Sequence, residues 1–387
     1  MTVTSMSPEE FRSHFPLCKG STYVNSCSQG ALSTEVADAF QRFLHSWDTY
    51  GSPWERWMEA LPELRSRFAR AIGADPDEIA ITPSASAGIN AVVSALRFDG
   101  ARHHIVAGEF EFPTMGQILL TQEQRGARVR WVRARGETLP ISAYAHEVDE
   151  RTLLVPATHV CYRNGYRLDI AGLAALCRSH GAYLILDDYQ RTGTAPIDVH
   201  ALGVDFMVTG CLKYLLGPPG IAFLYVRRDL IDQLKPGITG WFGRANPFAF
   251  EVDRLDWAAS ARRFEMGTPP IPNIYGASAA LELLESIGYD RVEAHVSGLV
   301  QQLTQRAQAA GYVLLTPPDA ERRSSLVVLQ STDSMRLVAK LQDRNVITSA
   351  RGSGLRISFH AYNNSQDVEH LLAVLREEER LLARTPD

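Results

Sequence analysis

Residues 205–226 read DFMVTGCLKYLLGPPGIAFLYV. Two apolar runs, DFMVTG (205–210) and IAFLYV (221–226), flank one lysine, Lys213, and a turn with two prolines and two glycines. Neither run alternates polar with apolar residues, so neither offers a solvent face. Strands of that kind belong in a parallel or mixed sheet covered by helices. The lysine is the anomaly. Burying an ammonium without a partner is costly, and the usual escape is to lose the charge. The bland alternative is a snorkelling lysine with its head in water.

The same pattern extends upstream. IAITP (79–83), HHIVAG (103–108), RVRWVRA (128–134), TLLVPATHV (152–160) and AYLILDD (182–188) read as strands. Helical stretches separate them, such as GINAVVSAL (88–96) and DIAGLAALCRSHG (169–181), the second ending on glycine as a helix C-cap should. This βα alternation predicts an α/β domain over 21–255 with a mostly parallel, mixed sheet. The character then changes. Long helical patterns (272–288, 290–311) precede strand-like SSLVVLQ (324–330) and LRISFH (355–360), and a last helix follows from 365. These predict a smaller α+β domain over 256–387. The segment 1–20, with its helix PEEFRSHF, is expected to pack on that domain.

The chain has 387 residues, 45% hydrophobic and 21% charged, enough for two or three domains with a sizeable core. Net charge is −5 and no Lys/Arg-rich arm occurs. That argues against nucleic acid and against an anionic membrane surface, and for a small-molecule partner. The five cysteines are scattered without CxxC or zinc-like spacing, which fits a reducing compartment. No run of about 18 apolar residues occurs and the N-terminus lacks an apolar h-region, so a cytoplasmic protein is expected. No GxGxxG follows a strand and no GxxxxGK[ST] occurs, which leaves Rossmann and P-loop sites unsupported.

Polar residues instead gather at the C-terminal ends of the expected strands, where ligands sit in open α/β sheets. PSASAGIN (83–90) joins a strand to a helix with small residues that let backbone N–H groups approach an anion, and Ser86 adds a hydroxyl. Ordinary capping by Ser84 or Ser86 is the alternative. Asp187 ends an apolar strand and needs a cationic or hydrogen-bonding partner, unless it caps the next helix. Arg356 lies in an apolar strand and suits a bidentate grip on a carboxylate, or an interdomain ion pair. Phe112, in EFEFPT (109–114), is core or a flat surface for a ligand ring.

Taken in this order the residues resemble the class V aminotransferase group of fold-type I enzymes dependent on pyridoxal 5′-phosphate (PLP). That group includes kynureninases, cysteine desulfurases and isopenicillin-N-epimerase-like enzymes. The resemblance runs from YVNSCSQGALS (23–33) to RISFHAYNNSQDVEHL (356–371). It is strongest in LDDYQRTGTAPIDVHALGVDFMVTGCLKYLLGPPGIAFLYV (186–226), with Asp-x-x-Gln, then Asp-Phe, then Lys before Gly-Pro-x-Gly. It implies that Lys213 carries PLP as a Schiff base, so that no free ammonium is buried. Asp187 would pair with the pyridine nitrogen, Gln190 with the ring 3′-oxygen, and Phe112 would stack on the ring. Ala85 and Ser86 would hold the phosphate, joined by Gly267 and Thr268 from a second subunit, so a homodimer with shared sites is expected. Arg356 would bind the α-carboxylate of a small amino-acid substrate. Trp241 resembles an aromatic near the cofactor in kynureninase-like members, and Tyr162 is a further candidate at the substrate. Arg163, Arg244 and Arg263 are weaker candidates, more simply read as surface or packing residues.

Some positions depart from the family pattern. Leu212 and Gly210 replace phosphate donors, with Tyr214 or Tyr162 as possible substitutes, and Asp188 and Tyr189 replace small residues. The loop ITSARGSGL (347–355) lacks the cysteine that desulfurases carry there, which argues against a thiol relay. Three kynureninase-like details, FPT, GC-x-KYL and GWFG, favour a lyase acting at Cβ or Cγ. An aminotransferase or epimerase is the alternative. A non-catalytic sensor or scaffold on the same fold is the remote one.

Overall fold

The computed structural model describes residues 6–385, so residues 1–5 of the N-terminal segment and the last two residues lie outside the described residues. In chain order the first strands are β1 (Thr22–Tyr23), β2 (Ile79–Thr82), β3 (His104–Gly108), β4 (Arg128–Val132), β5 (Thr152–Thr158), β6 (Tyr183–Asp187), β7 (Phe206–Gly210) and β8 (Ala222–Val226). Then come β9 (Leu326–Gln330), β10 (Val346–Ile347), β11 (Ser349–Arg351) and β12 (Gly354–Ser358). Each matches an apolar run or lies within one residue or two of it, except the short β1, β10 and β11, which carry no strand signal of their own.

Seven strands form the central sheet in the order β2-β8-β7-β6-β5-β3-β4. The β6–β7, β5–β6, β3–β5 and β3–β4 pairs are parallel, and β8 runs antiparallel to both neighbours. The reason is in the connections. A parallel return needs a crossover of a dozen residues or more, and residues 211–221 hold no helix, so β8 comes back antiparallel. As a result the C-terminal ends of β2, β3, β5, β6 and β7 share one edge.

Both faces of the sheet are covered, as the unbroken apolar strands require. Leu184, Leu186 and Phe223 pack in one core, whereas Ile185, Val208 and Leu224 face a second, the period-two alternation of a strand buried on both sides. Each such side chain contributes about 1.5–3 kcal/mol relative to exposure. On one face Phe68, from helix Trp54–Ala71, stacks on Phe223 with ring centroids 3.9 Å apart. On the other, helix Ala85–Ala95 lies close because Gly88 has no side chain: a Cβ there would sit 3.3 Å from Val208 Cγ1.

Beyond the central sheet, β11, β12 and β9 form an antiparallel sheet, and β1 pairs in parallel with β10. Helix Pro8–Ser13 starts on a Ser7–Glu10 capping box. Its Phe11 is buried against His360, and its Arg12 pairs with Asp367 at 2.7 Å. Helix Ile271–Ile287 packs on helices Thr34–Tyr50 and Trp54–Ala71. Among the described residues no helix is long and apolar enough to cross a membrane.

Candidate active site

A cavity of about 380 Å³ opens at the shared edge of β2, β3, β5, β6 and β7. Lys213 reaches it from the loop after β7. Its Nζ lies 4.5 Å from the ring centroid of Tyr189 and 5.8 Å from that of Phe112, so the amine sits in an aromatic slot. Part of the lysine faces the cavity, yet protein surrounds the amine closely. Burial pulls its pKa down to about 8, against the opposing pull of Asp187.

The lysine loop is held from several sides. Gly30 N donates to Leu212 O at 2.7 Å, and Leu216 closes the turn in the left-handed region at φ 58°. For a branched side chain that conformation is strained, and its cost of about 1–3 kcal/mol is met by surrounding contacts. His360, fully buried, donates Nε2–H to Tyr214 O at 2.9 Å while its Nδ1 accepts Ala361 N–H at 2.8 Å. Those two partners specify the neutral tautomer, and burial lowers the imidazole to about 4.

Asp187 ends β6, buried, with the Tyr189 N–H as the one hydrogen bond to its carboxylate among the described residues. Burial raises it to about 6, opposed by that bond and by Lys213. Glu111 lies behind, fully enclosed, taking bonds from Thr158 N (2.9 Å) and Oγ1 (2.8 Å), and burial raises it to about 8. Gln190 donates Nε2–H to Cys27 O at 3.1 Å and leaves a buried Oε1 without a partner. Helix Ala85–Ala95 is capped by Ser84, whose hydroxyl accepts Ala87 N–H at 3.1 Å. Ser84 is therefore the cap, and among the described residues the Ser86 hydroxyl and the first N–H groups stay free at the cavity wall. Phe112 is the N-cap residue of helix Pro113–Thr121 but makes no capping bond; the residue is 41% exposed and lines the cavity.

Arg356, on β12, is almost fully buried. Its guanidinium donates to Ser28 Oγ (2.7 Å), Ser349 Oγ (2.9 Å) and Tyr162 O (3.2 Å), and to no carboxylate among the described residues. The interdomain ion pair that the sequence allowed is thus not formed among the described residues. Tyr162 lines the cavity with its ring edge-on to Phe112, centroids 5.1 Å apart.

Trp241, Gly267 and Thr268 lie outside this cavity of their own chain. Trp241 packs on Phe242, Phe248 and Phe250, and Gly267 and Thr268 are exposed. Arg163, Arg244 and Arg263 do not line it either. Arg244 pairs with Glu251 and Asp256, Arg263 with Asp232, and Arg163 lies over Phe110. Tyr214 is no substitute phosphate donor, because its ring is buried among Cys27, Leu326 and Val328.

The sequence reading gave no site role to Cys27, Tyr189 or Arg351, although it marked Tyr189 as a departure from the family pattern; all three line the cavity. Tyr189 explains Gly210: a Cβ on Gly210 would overlap the tyrosine Oη and Cζ. A larger cavity, about 540 Å³, lies by Arg191 and Arg323, but it holds no lysine, so the amine chemistry belongs to the smaller one.

These residues fit PLP. A buried carboxylate with one donor suits a protonated ring nitrogen, and an amine lowered to about 8 suits an imine. The free N–H groups of a helix N-terminus suit a phosphate. The Gln190 amide gives one Nε2–H to Cys27 O and keeps its second N–H, beside the unpartnered Oε1, for a ring oxygen.

The comparisons with known proteins agree. An uncharacterized aminotransferase of Bacillus subtilis is 35% identical over 365 residues, covering 94% of this chain and 96% of that one. A Pseudomonas fluorescens kynureninase is 29% identical, over 90% of this chain and 85% of its own. Among solved structures, the apo cysteine desulfurase of Thermococcus onnurineus shares the fold with a TM-score of 0.87 at 22% identity, over 97% and 99% of the two chains. A cystine C–S lyase bound to cysteine persulfide does so at 0.85 and 24%, over 93% and 98%. The aminotransferase class-V profile matches residues 30–371. The chain belongs to that family: it is a PLP-dependent enzyme of fold type I, acting on an amino acid as a lyase or an aminotransferase.

Proposed function

We propose that the chain is a PLP-dependent lyase that cleaves a C–C or C–S bond at Cβ or Cγ of a small amino acid. The observation that carries this reading is the Lys213 amine, set between two aromatic rings in the cavity that Asp187 and Arg356 also line. When bound, PLP supplies an electron sink that eases loss of a proton from Cα. The other tasks fall to the chain. Lys213 Nζ would hold the cofactor covalently at rest and, once displaced by the amine of the substrate, would move a proton to or from Cα. Asp187 accepts the ring N–H, Gln190 donates to the ring oxygen, and Phe112 covers a ring face. Ala85 and Ser86 bind the phosphate. Arg356 takes the α-carboxylate on its planar fork, with Tyr162 beside it. FPT (112–114), GC-x-KYL (210–215) and GWFG (240–243) support a lyase, as does the likeness to a kynureninase. The loop 347–355 has no cysteine, so sulfur release would proceed without a thiol from it.

A second reading, aminotransferase, draws on the name of the Bacillus subtilis relative. The two differ in stoichiometry. A lyase turns over an amino acid with no acceptor, whereas an aminotransferase stops after one turnover unless a 2-oxo acid is added. Multiple turnovers without an acceptor, in a screen scoring pyruvate, alanine, sulfide and ammonia, are expected. Strict dependence on a 2-oxo acid would reverse the order.

The assembly is proposed as a homodimer with shared sites. Phe248, Phe250, Val252 and Leu255 are exposed apolar side chains beside Trp241, and Phe242 N ties the segment to Met266 O at 3.1 Å, next to Gly267 and Thr268. A second copy on this face would cover them and bring Trp241, Gly267 and Thr268 to its own cavity. We also propose a large domain over 21–255 and a small one over 256–387 with segment 1–20 packed on it, to be checked by limited proteolysis near 255. The five free, buried cysteines favour the cytoplasm, which cell fractionation checks.

A further inference from the structure

The cavity holds more positive charge than a plain amino acid can use. In the hairpin of β11 and β12, Ser349 pairs with Arg356 and Arg351 with Gly354. Residues opposite one another share a face, and so do residues two apart on one strand. Ser349, Arg351 and Arg356 therefore project from one face of the hairpin, and both arginines line the cavity. Neither has an acidic partner among the described residues. Arg356 is held by two serine hydroxyls and a carbonyl, and Arg351, exposed at the mouth, bonds only Ala350 O at 2.8 Å.

Asp187 is the one carboxylate lining the cavity among the described residues. In the function proposed above it answers the cofactor's ring nitrogen, and Lys213 gives up its charge to the imine. The phosphate has its own donors at the helix after β2, supplied by an element far from the hairpin in sequence. Two guanidinium groups then face the substrate space with nothing to balance them. One suffices for an α-carboxylate.

We propose that the substrate is an amino acid whose side chain carries a second anionic group, with Arg356 holding the α-carboxylate and Arg351 the side-chain anion. A planar fork on an exposed hairpin suits the second role. It can accept a carboxylate or another oxyanion bidentately, and it sits at the entrance, where it also attracts an anionic ligand. Gly352, next in the turn at φ 55°, gives the hairpin its tight bend and keeps Arg351 at the tip.

This rests on the PLP reading, and the test separates the two. Purified holoenzyme is first reduced with borohydride and digested, which reports whether Lys213 carries the cofactor. Glutarate, succinate and butyrate are then titrated into unreduced holoenzyme by calorimetry. Glutarate or succinate should bind roughly tenfold or more tighter than butyrate, the scale of one charge-assisted hydrogen-bonded pair. Arg351→Gln should bring that ratio close to one, and Arg351→Lys should restore part of it. Labelled Lys213 with a wild-type ratio of one, or a ratio that Arg351→Gln leaves in place, overturns this inference alone. Loss of cofactor from Arg351→Gln with the ratio kept would assign the arginine to the phosphate and overturn it too. An unlabelled Lys213 overturns the function itself.

Discussion

Lys213 lies in a slot between Tyr189 and Phe112, and its amine is pulled down to about 8 chiefly by burial, with Asp187 opposing. Imine formation needs the neutral amine. The sign follows: as pH rises through about 8 the apoprotein amine loses its proton, so capture of added PLP should speed up between about pH 7 and 9 and then level off. An ordinary lysine, near 10.4, would keep gaining beyond pH 10. Stopped-flow absorbance on the apoprotein reads this directly, and a rate still climbing at pH 10 would mean the amine is not buried in solution. Asp187 and Arg356 were legible in the sequence because each is a charged residue in or at the end of an apolar strand, and Lys213 because it follows one, where solvation makes an unpaired charge conspicuous; Gln190 came only from the family resemblance. Cys27 and Arg351 were not legible, and Tyr189 was noted only as a departure from the family pattern. Nothing local distinguishes a cysteine in a loop or an arginine in a turn; only the meeting of residues 27, 189 and 351 in one cavity does.

At the scale of the element, β7 and the loop after β6 are fitted to each other. Gly210 ends β7 with no side chain, and Tyr189 fills the space. Gly210→Ala should force the tyrosine out and cost about 1–3 kcal/mol by overpacking. Adding Tyr189→Ala should return part of the loss, since the clash has gone. Urea unfolding of the three variants checks this, and a Gly210→Ala protein as stable as the parent would mean the ring is not seated there. Most of the central strands were readable because they are apolar on both faces; their order was not read from the sequence. Helices Thr34–Tyr50 and Trp54–Ala71 were not picked out. Their buried residues do recur at helical spacing (Val36, Ala39, Phe43; Trp57, Leu61, Leu64, Phe68), but exposed Leu44, Trp47, Tyr50 and Trp54 add apolar residues off that stripe, and Pro62 lies inside the second helix. The two-residue β1 and β10 are too short to leave a period at all.

For the whole molecule, Phe248, Phe250, Val252 and Leu255 on one segment, with Trp241 beside them, are more exposed apolar surface than an isolated chain needs. A homodimer should be seen by light scattering, and the pair Phe250→Asp with Val252→Asp should yield monomer that retains PLP more weakly, because Gly267 and Thr268 of the partner no longer reach the phosphate. A native dimer unchanged by both substitutions would move the interface elsewhere. The claim on which the whole account depends is that Lys213 carries the cofactor. Borohydride reduction of the purified protein followed by peptide mapping by mass spectrometry tests it most directly. The account predicts a pyridoxyl-phosphate adduct on the peptide containing Lys213 and none on the Lys213→Ala protein; an adduct on another lysine, or the same reducible absorption band in Lys213→Ala, would contradict it.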